Sequence, residues 1–425
     1  MQEHNVHIGT RSIWGGEEPV VLSREDRRRH LYLIGASGTG KTSLLKALIR
    51  QDIEAGEGVA VIDPHGDLAE ELLDLIPPWR TDHLCYFDPS DLSHPVGLNL
   101  LAKVDRDERH LVVSGILASL KSIWAESWGP RLEYILANTL SALTECQNVS
   151  LLAVPRMLTD DRYRQWILKQ VKDPAVLRFW RQEWDSWDGR YQAEATSPIL
   201  NKVGALLLSP ATRNVLGQVT SAFDATFLMN HRRIFIANLS KGRLGEDKSN
   251  LMGSLLVNEF QRSALRRAFM PEDSRIDFSV IVDEFQNFAT GGTFASFFAE
   301  LRKYHVGIVA AHQYLDQLSE EVRHAVFGNV ANMISFRVGE ADAQILARHF
   351  GHDLTPEHFS QMPNFETIMR ISKQGNVPQP FTATTPSPTN KCHTNRENLL
   401  RRSRERYSTP RATVEDRIQR WMSKH

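Results

Sequence analysis

Cysteine is scarce in this 425-residue chain, and Cys85, Cys146 and Cys392 stand too far apart for any metal-ligand or redox spacing. An odd count without a signal peptide points to a reducing compartment, so a cytoplasmic location is expected. No stretch approaches the roughly 18 consecutive apolar residues of a membrane span, so no direct membrane insertion is expected. A global basic field is missing too: 50 Lys+Arg against 51 Asp+Glu leave a formal charge of −1. Nothing in that balance advertises nucleic acid. The charge is unevenly placed, however, because residues 391–425 hold ten Lys/Arg against four Asp/Glu. No internal repeat is present. A hydrophobic share of 41% and a charged share of 24% are those of a globular chain long enough for more than one domain.

What the chain does have is the stretch LYLIGASGTGKTS at residues 31–43. Four apolar residues, Leu31 to Ile34, lead into Gly35, Gly38 and Gly40, then Lys41 and Thr42, then a helical apolar repeat. The spacing G-x-x-x-x-G-K-T predicts a buried strand, a phosphate-binding loop and a helix start. Glycines let backbone N–H groups converge on phosphate oxygens, and the helix adds the positive end of its dipole. Gly35, Ser37, Gly38, Thr39, Gly40, Lys41, Thr42 and Ser43 are therefore the expected contacts to ATP. Lys41 is expected to reach the β- and γ-phosphates, and the Thr42 hydroxyl to hold Mg2+.

The rest of the pattern places this loop in an α/β core. Residues 1–30 read as a short β element, with the arginine-rich 24–30 as a solvated turn. Strand-length apolar runs follow at 59–62, 84–87, 233–238, 278–282, 307–311 and 330–338, alternating with helical stretches, which argues for a mainly parallel sheet. Between them, 104–218 is helical in period and holds six of the nine tryptophans: Trp124, Trp128, Trp166, Trp180, Trp184 and Trp187. These read as the core of an inserted all-α subdomain. The expected organisation is a RecA-like P-loop NTPase core at 31–103 and 219–375, the insertion at 104–218, and a linker and basic tail at 376–425. Thr and Pro at 382–390 mark the linker, and 413–422 a short amphipathic helix.

Asp283 and Glu284 directly follow the apolar strand 278–282. There Asp283 is expected to hold Mg2+, largely through water, and Glu284 to act as general base on the attacking water. Gln313, ending the next strand, suits sensing of the γ-phosphate. Arg302 lies between these strands, where it cannot easily reach its own phosphate loop, and reads as an arginine finger acting on the next subunit of a ring.

The order of motifs resembles the HerA/FtsK superfamily of DNA-pumping ATPases, nearest its TraG/TraD-type conjugative coupling-protein branch. The matching residues are 35–42, Asp63-Pro64-His65-Gly66-Asp67, Gly97-Leu98-Asn99-Leu100 and Asn238-Leu239-Ser240-Lys241-Gly242. Further on come 282–288 (VDEFQNF), Arg302 and Ala311-His312-Gln313-Tyr314-Leu315. The resemblance implies a homo-hexamer, ATP hydrolysis between subunits, and double-stranded DNA in a central pore. Lys241, Arg243 and Lys202 are expected DNA contacts. Membrane-anchored relatives carry N-terminal transmembrane helices and the HerA type a longer N-terminal barrel; about 30 residues precede the loop here, so a partner is expected to supply targeting. That partner is a secretion channel or a nuclease or other effector, serving conjugation, end processing or antiviral defence. The alternative expectation is an ATP-driven assembly platform, or a type IV secretion protein-export ATPase that does not pump DNA.

Overall fold

A computed structural model describes residues 5–423 apart from 103, 290–296, 352, 374, 377, 388–391 and 394. It divides into two compact units, one of residues 1–87, 225–240 and 263–403, the other of 88–224, 241–262 and 404–425. The first is built on one 11-stranded sheet in the order β2-β1-β11-β10-β9-β3-β8-β7-β4-β6-β5. The strands are β1 (Val6–Ile13), β2 (Gly16–Leu22), β3 (Leu31–Ile34), β4 (Gly58–Asp63), β5 (Leu84–Phe87) and β6 (Ile234–Asn238). They continue with β7 (Phe278–Val282), β8 (Val306–His312), β9 (Asn332–Ser335), β10 (Glu366–Arg370) and β11 (Phe381–Thr384).

From β9 to β5 every pairing is parallel. A strand buried on both faces must be apolar throughout, and β3, β4, β6 and β8 are buried at every position. The antiparallel end, β9-β10-β11-β1-β2, was only half legible. The β1–β2 hairpin fits the expected N-terminal element. Strand β11 corrects the linker reading, since residues 381–384 pair with β10 although Thr and Pro dominate the neighbourhood. Thr367 explains part of this: its hydroxyl donates to the Ala383 carbonyl at 2.9 Å, and Ala383 is buried. Positions 388–390 of that linker and the start of the tail at Lys391 lie outside the described residues.

The segment ahead of β3 is a second correction. Residues 24–30 are no solvated turn but a short helix, Arg24–Arg27, capped by the Ser23 hydroxyl. Its arginines anchor neighbouring strand starts: Arg27 donates to Asp52 and, at 2.8 Å, to the Ser279 hydroxyl, while Arg28 meets Asp277 at 2.6 Å. His30 is buried, donating from Nε2 to the Phe298 carbonyl at 3.0 Å and accepting the Ile308 N–H at Nδ1.

The regular elements of the second unit are all helices among its described residues. Its aromatic core is centred on Trp180 and Trp184, both fully buried, with ring centroids 5.0 Å apart, whereas Trp166 is exposed. Residues 411–423 form a helix longer than expected, and Arg404 pairs with Asp91 and Arg420 with Asp416. Two of the tail's ten basic residues are thereby paired within the unit.

Burial pushes the His30 imidazole down to about 4, and the nearby Arg302 charge adds to that. In the unfolded chain it protonates near about 6.5, so the unfolded state binds more protons between the two values. Stability from this site is full above about 6.5 and lost as pH falls toward 4. The urea midpoint should therefore drop more steeply over that window in the native protein than in His30→Gln; equal slopes would overturn the assignment.

Candidate functional site

Parallel pairing brings strand ends together, and the site forms where they meet. Ile34 is level with His312 on β8 and with Ser335 on β9, so the residues after all three strands share one edge of the sheet. Gly35 donates its N–H to the His312 carbonyl at 3.3 Å, and Ala36 to the Arg337 carbonyl at 2.8 Å, bracing the loop from both sides. Gly38 and Gly40 have φ of 75° and 120°, values that glycine adopts without a steric penalty. A Cβ on Gly35 would lie 2.5 Å from the Phe336 Cβ, so only glycine fits that approach. The helix Lys41–Glu54 starts directly at the loop, leaving its first N–H groups facing the same space.

Within the loop, Ser37, Gly38 and Thr42 are exposed, Ser43 is half-buried, and Thr39 is buried with its hydroxyl on the Ala36 carbonyl at 2.8 Å. Lys41 is buried, its Nζ donating to the Gly35 and Ala36 carbonyls. Burial lowers its pKa, while Glu284 and Asp283 oppose that shift. An ammonium held on backbone carbonyls and facing two carboxyl groups is placed to exchange those carbonyls for phosphate oxygens.

Asp283 and Glu284 follow β7 and are both buried. Burial, with Asp63 and Glu284 nearby, raises the Asp283 carboxyl to about 7. Glu284 stands in the left-handed region, φ 45° and ψ 50°, which turns its side chain off the strand direction. Its two oxygens are held by amides: Gln313 Nε2 donates to Oε1 at 2.9 Å and Gln286 Nε2 to Oε2 at 2.7 Å. Lys41, Asp283, Glu284 and Gln313 thus share one cluster.

Arg302 does not join it. It lies in the short 3-10 turn Leu301–Tyr304 that precedes β8, whereas Gln313 follows β8. Seven strand residues separate the two edges, a distance of roughly 20 Å. Arg302 is exposed on that far edge. Of the expected DNA contacts, all in the helical unit, Lys241 Nζ pairs with Glu246 at 2.9 Å, and Arg243 is close enough to Asp88 to steady its charge. Lys202 lies over the Trp124 ring, 5.9 Å from its centroid.

Three contributors were not singled out from residue types. Asp63, fully buried at the end of β4, accepts the His65 N–H at 2.8 Å and the Ala69 N–H at 2.9 Å, organising the turn into the helix Asp67–Leu73. Gln286 is the second amide on Glu284. Tyr32 on β3 hydrogen-bonds His312 on β8 through its hydroxyl, joining the strand before the phosphate loop to the residue before Gln313. The signal for each was a polar residue in or beside an apolar strand; the pairing itself is tertiary.

Residues 6–117 match the family described as helicase HerA, central domain (DUF87). That is the family likeness this chain carries. None of the curated proteins matches it. Among solved structures, the bacterial conjugative coupling protein TrwBdeltaN70 in an unbound monoclinic form is similar, with a TM-score of 0.62 and 14% identity. The match covers 91% of this chain and 89% of that one. The plasmid coupling protein TrwB in complex with ADP and Mg2+ matches with a TM-score of 0.62 and 15% identity over 89% and 90% of the two chains. VirB4 of Thermoanaerobacter pseudethanolicus gives 0.57 and 13%, over 91% and 97%. The fold is therefore the RecA-like P-loop fold these proteins share. No helix among the described residues is long and apolar enough to cross a membrane.

Replacing Asp63 with Asn should cost about 1–3 kcal/mol, because one of two buried backbone donors would face an amide N–H. A chemical-denaturation comparison reads this directly; a variant as stable as the native protein would sink the capping role.

Proposed function

We propose that the chain is a motor ATPase of the HerA/FtsK type, binding ATP at the Gly35–Ser43 loop and hydrolysing it to move DNA. The single observation that carries this reading is the convergence of Lys41, Asp283, Glu284 and Gln313 at one sheet edge around a brace of glycines. The likeness to TrwB, whose complex contains ADP and Mg2+, supports the choice of nucleotide.

The chemistry follows from the residues. Loop N–H groups and the helix N-terminus bind the phosphates. Lys41 trades loop carbonyls for the β- and γ-phosphate oxygens. Glu284 takes a proton from the attacking water as its oxygen bonds to the γ-phosphorus and ADP leaves. Gln313, already on the Glu284 carboxylate, holds that base in line and lies next to the γ-phosphate position. The exposed Thr42 hydroxyl and the Asp283 carboxyl, hard oxygen donors beside further carboxyl groups, suit Mg2+. When bound, that ion neutralises charge on the β- and γ-oxygens.

Arg302, roughly 20 Å away on the opposite edge, can serve only a nucleotide bound by another subunit. A homo-hexameric ring with heterologous contacts supplies such a neighbour at every site. In the same reading double-stranded DNA passes the centre of the ring, with Lys241, Arg243 and Lys202 as candidate phosphate contacts. A secretion-channel component or a nuclease effector completes the system.

ATP turnover measured against added double- and single-stranded DNA tests the proposal. Stimulation by DNA is expected, with Lys41→Ala losing nucleotide binding and Glu284→Gln keeping binding but losing roughly 10²–10⁴-fold in rate. Hydrolysis indifferent to DNA would overturn the translocase reading in favour of a protein-export or assembly ATPase. Arg302→Ala should lower kcat by about 10³-fold with nucleotide affinity near normal. Full activity in that variant would remove the trans-acting role.

A further inference from the structure

We propose that Phe365 is the stacking platform for the base of the bound nucleotide, an assignment that rests on the ATP-binding reading above. Phe365 occupies the third position of the turn Pro363 to Glu366, closed by the Glu366 N–H on the Pro363 carbonyl. Its φ is +67°, a value for which turns favour glycine or asparagine. A bulky aromatic here works against local preference, and Asn364, the better candidate, sits one position earlier.

The strained backbone is fixed to the phosphate loop. The Phe365 N–H donates to the Thr39 carbonyl at 2.9 Å, and the Phe365 carbonyl accepts the Thr385 N–H at 2.8 Å and the Thr385 hydroxyl at 3.1 Å. Arg337, whose carbonyl already takes the Ala36 N–H, donates to the Met362 carbonyl at 3.3 Å and to Asn364 Oδ1 at 3.0 Å. One edge of the ring is packed on the loop, where a Cβ on Gly40 would meet Phe365 Cδ1 at 2.9 Å. The residue is nevertheless 40% exposed. Backbone strain of this kind, tied down on several sides and presenting an open aromatic face, is found at ligand clamps.

Sidedness decides the ligand. Glu284 and Gln313 follow β7 and β8, which fixes the reacting end of the triphosphate on that side of the loop. The sheet order β10-β9-β3-β8-β7 puts Phe365, directly before β10, on the other side. A triphosphate lying along the loop with its γ end toward β8 carries its nucleoside toward β9 and β10. There the partly exposed ring lies directly beside Gly40 of the loop, and every base has a face that stacks on an aromatic.

The test is calorimetric titration of the full chain with a non-hydrolysable ATP analogue and, separately, with inorganic tripolyphosphate. Phe365→Ala should bind the ATP analogue roughly tenfold or more weakly, while its affinity for tripolyphosphate stays unchanged. Phe365→Trp should restore the affinity and add fluorescence quenching on nucleotide addition beyond that of the native protein. Equal weakening of both ligands in Phe365→Ala would show a role in loop shape only and overturn the proposal, as would unchanged affinity for the ATP analogue. A native protein that binds neither ligand would sink the nucleotide reading and this assignment with it; a native protein that binds both leaves Phe365 to be judged by its own variants.

Discussion

Three carboxyl groups, those of Asp63, Asp283 and Glu284, are buried where neighbouring parallel strands end, the last two facing Lys41. Much of the core makes sense as the means of holding them there. Burial disfavours the charged forms of Asp63 and Asp283, and each of the three carboxyl groups is met by donors. Asp63 takes backbone N–H groups of its own turn, Glu284 takes two side-chain amides, and Asp283 receives the Glu284 N–H at 3.0 Å. Lys41 supplies the nearby positive charge while resting on loop carbonyls.

That arrangement depends on the register of β3 between β8 and β9. Parallel neighbours aligned residue for residue deliver the phosphate loop, Gln313 and Arg337 to one edge, and the apolar interiors of the strands keep water from the backbone ladders. The same alignment sends Arg302 and the arginines before β3 to the opposite edge. There Arg24 and Arg28 meet Glu57 and Asp277 ahead of two strands and Arg27 meets Asp52 in the helix Lys41–Glu54, so a run of positive charge that looks solvent-directed in one dimension becomes a set of internal ties.

Legibility followed locality. The loop glycines, Lys41, Thr42 and the parallel strands stand out because their signals lie within a few residues: apolar runs, a fixed spacing and helix starts. Strand β11 did not, because Phe381–Thr384 is short and set among Thr and Pro, and only pairing with β10 makes it a strand. His30 is hidden for a similar reason. Burial keeps its imidazole neutral, and its two hydrogen-bond partners, Phe298 and Ile308, both lie far away in the chain.

The sequence by itself determined the phosphate-loop chemistry, the succession of the parallel strands along the chain, and the residue types available for acid, base and amide roles, since each is written in contiguous or closely spaced residues. The tertiary structure alone decided that Gln286 shares Glu284 with Gln313 and that Phe365 flanks Gly40. Those facts depend on which strand ends become neighbours, and strand order in a sheet is set by packing of the whole core rather than by any local run of residues.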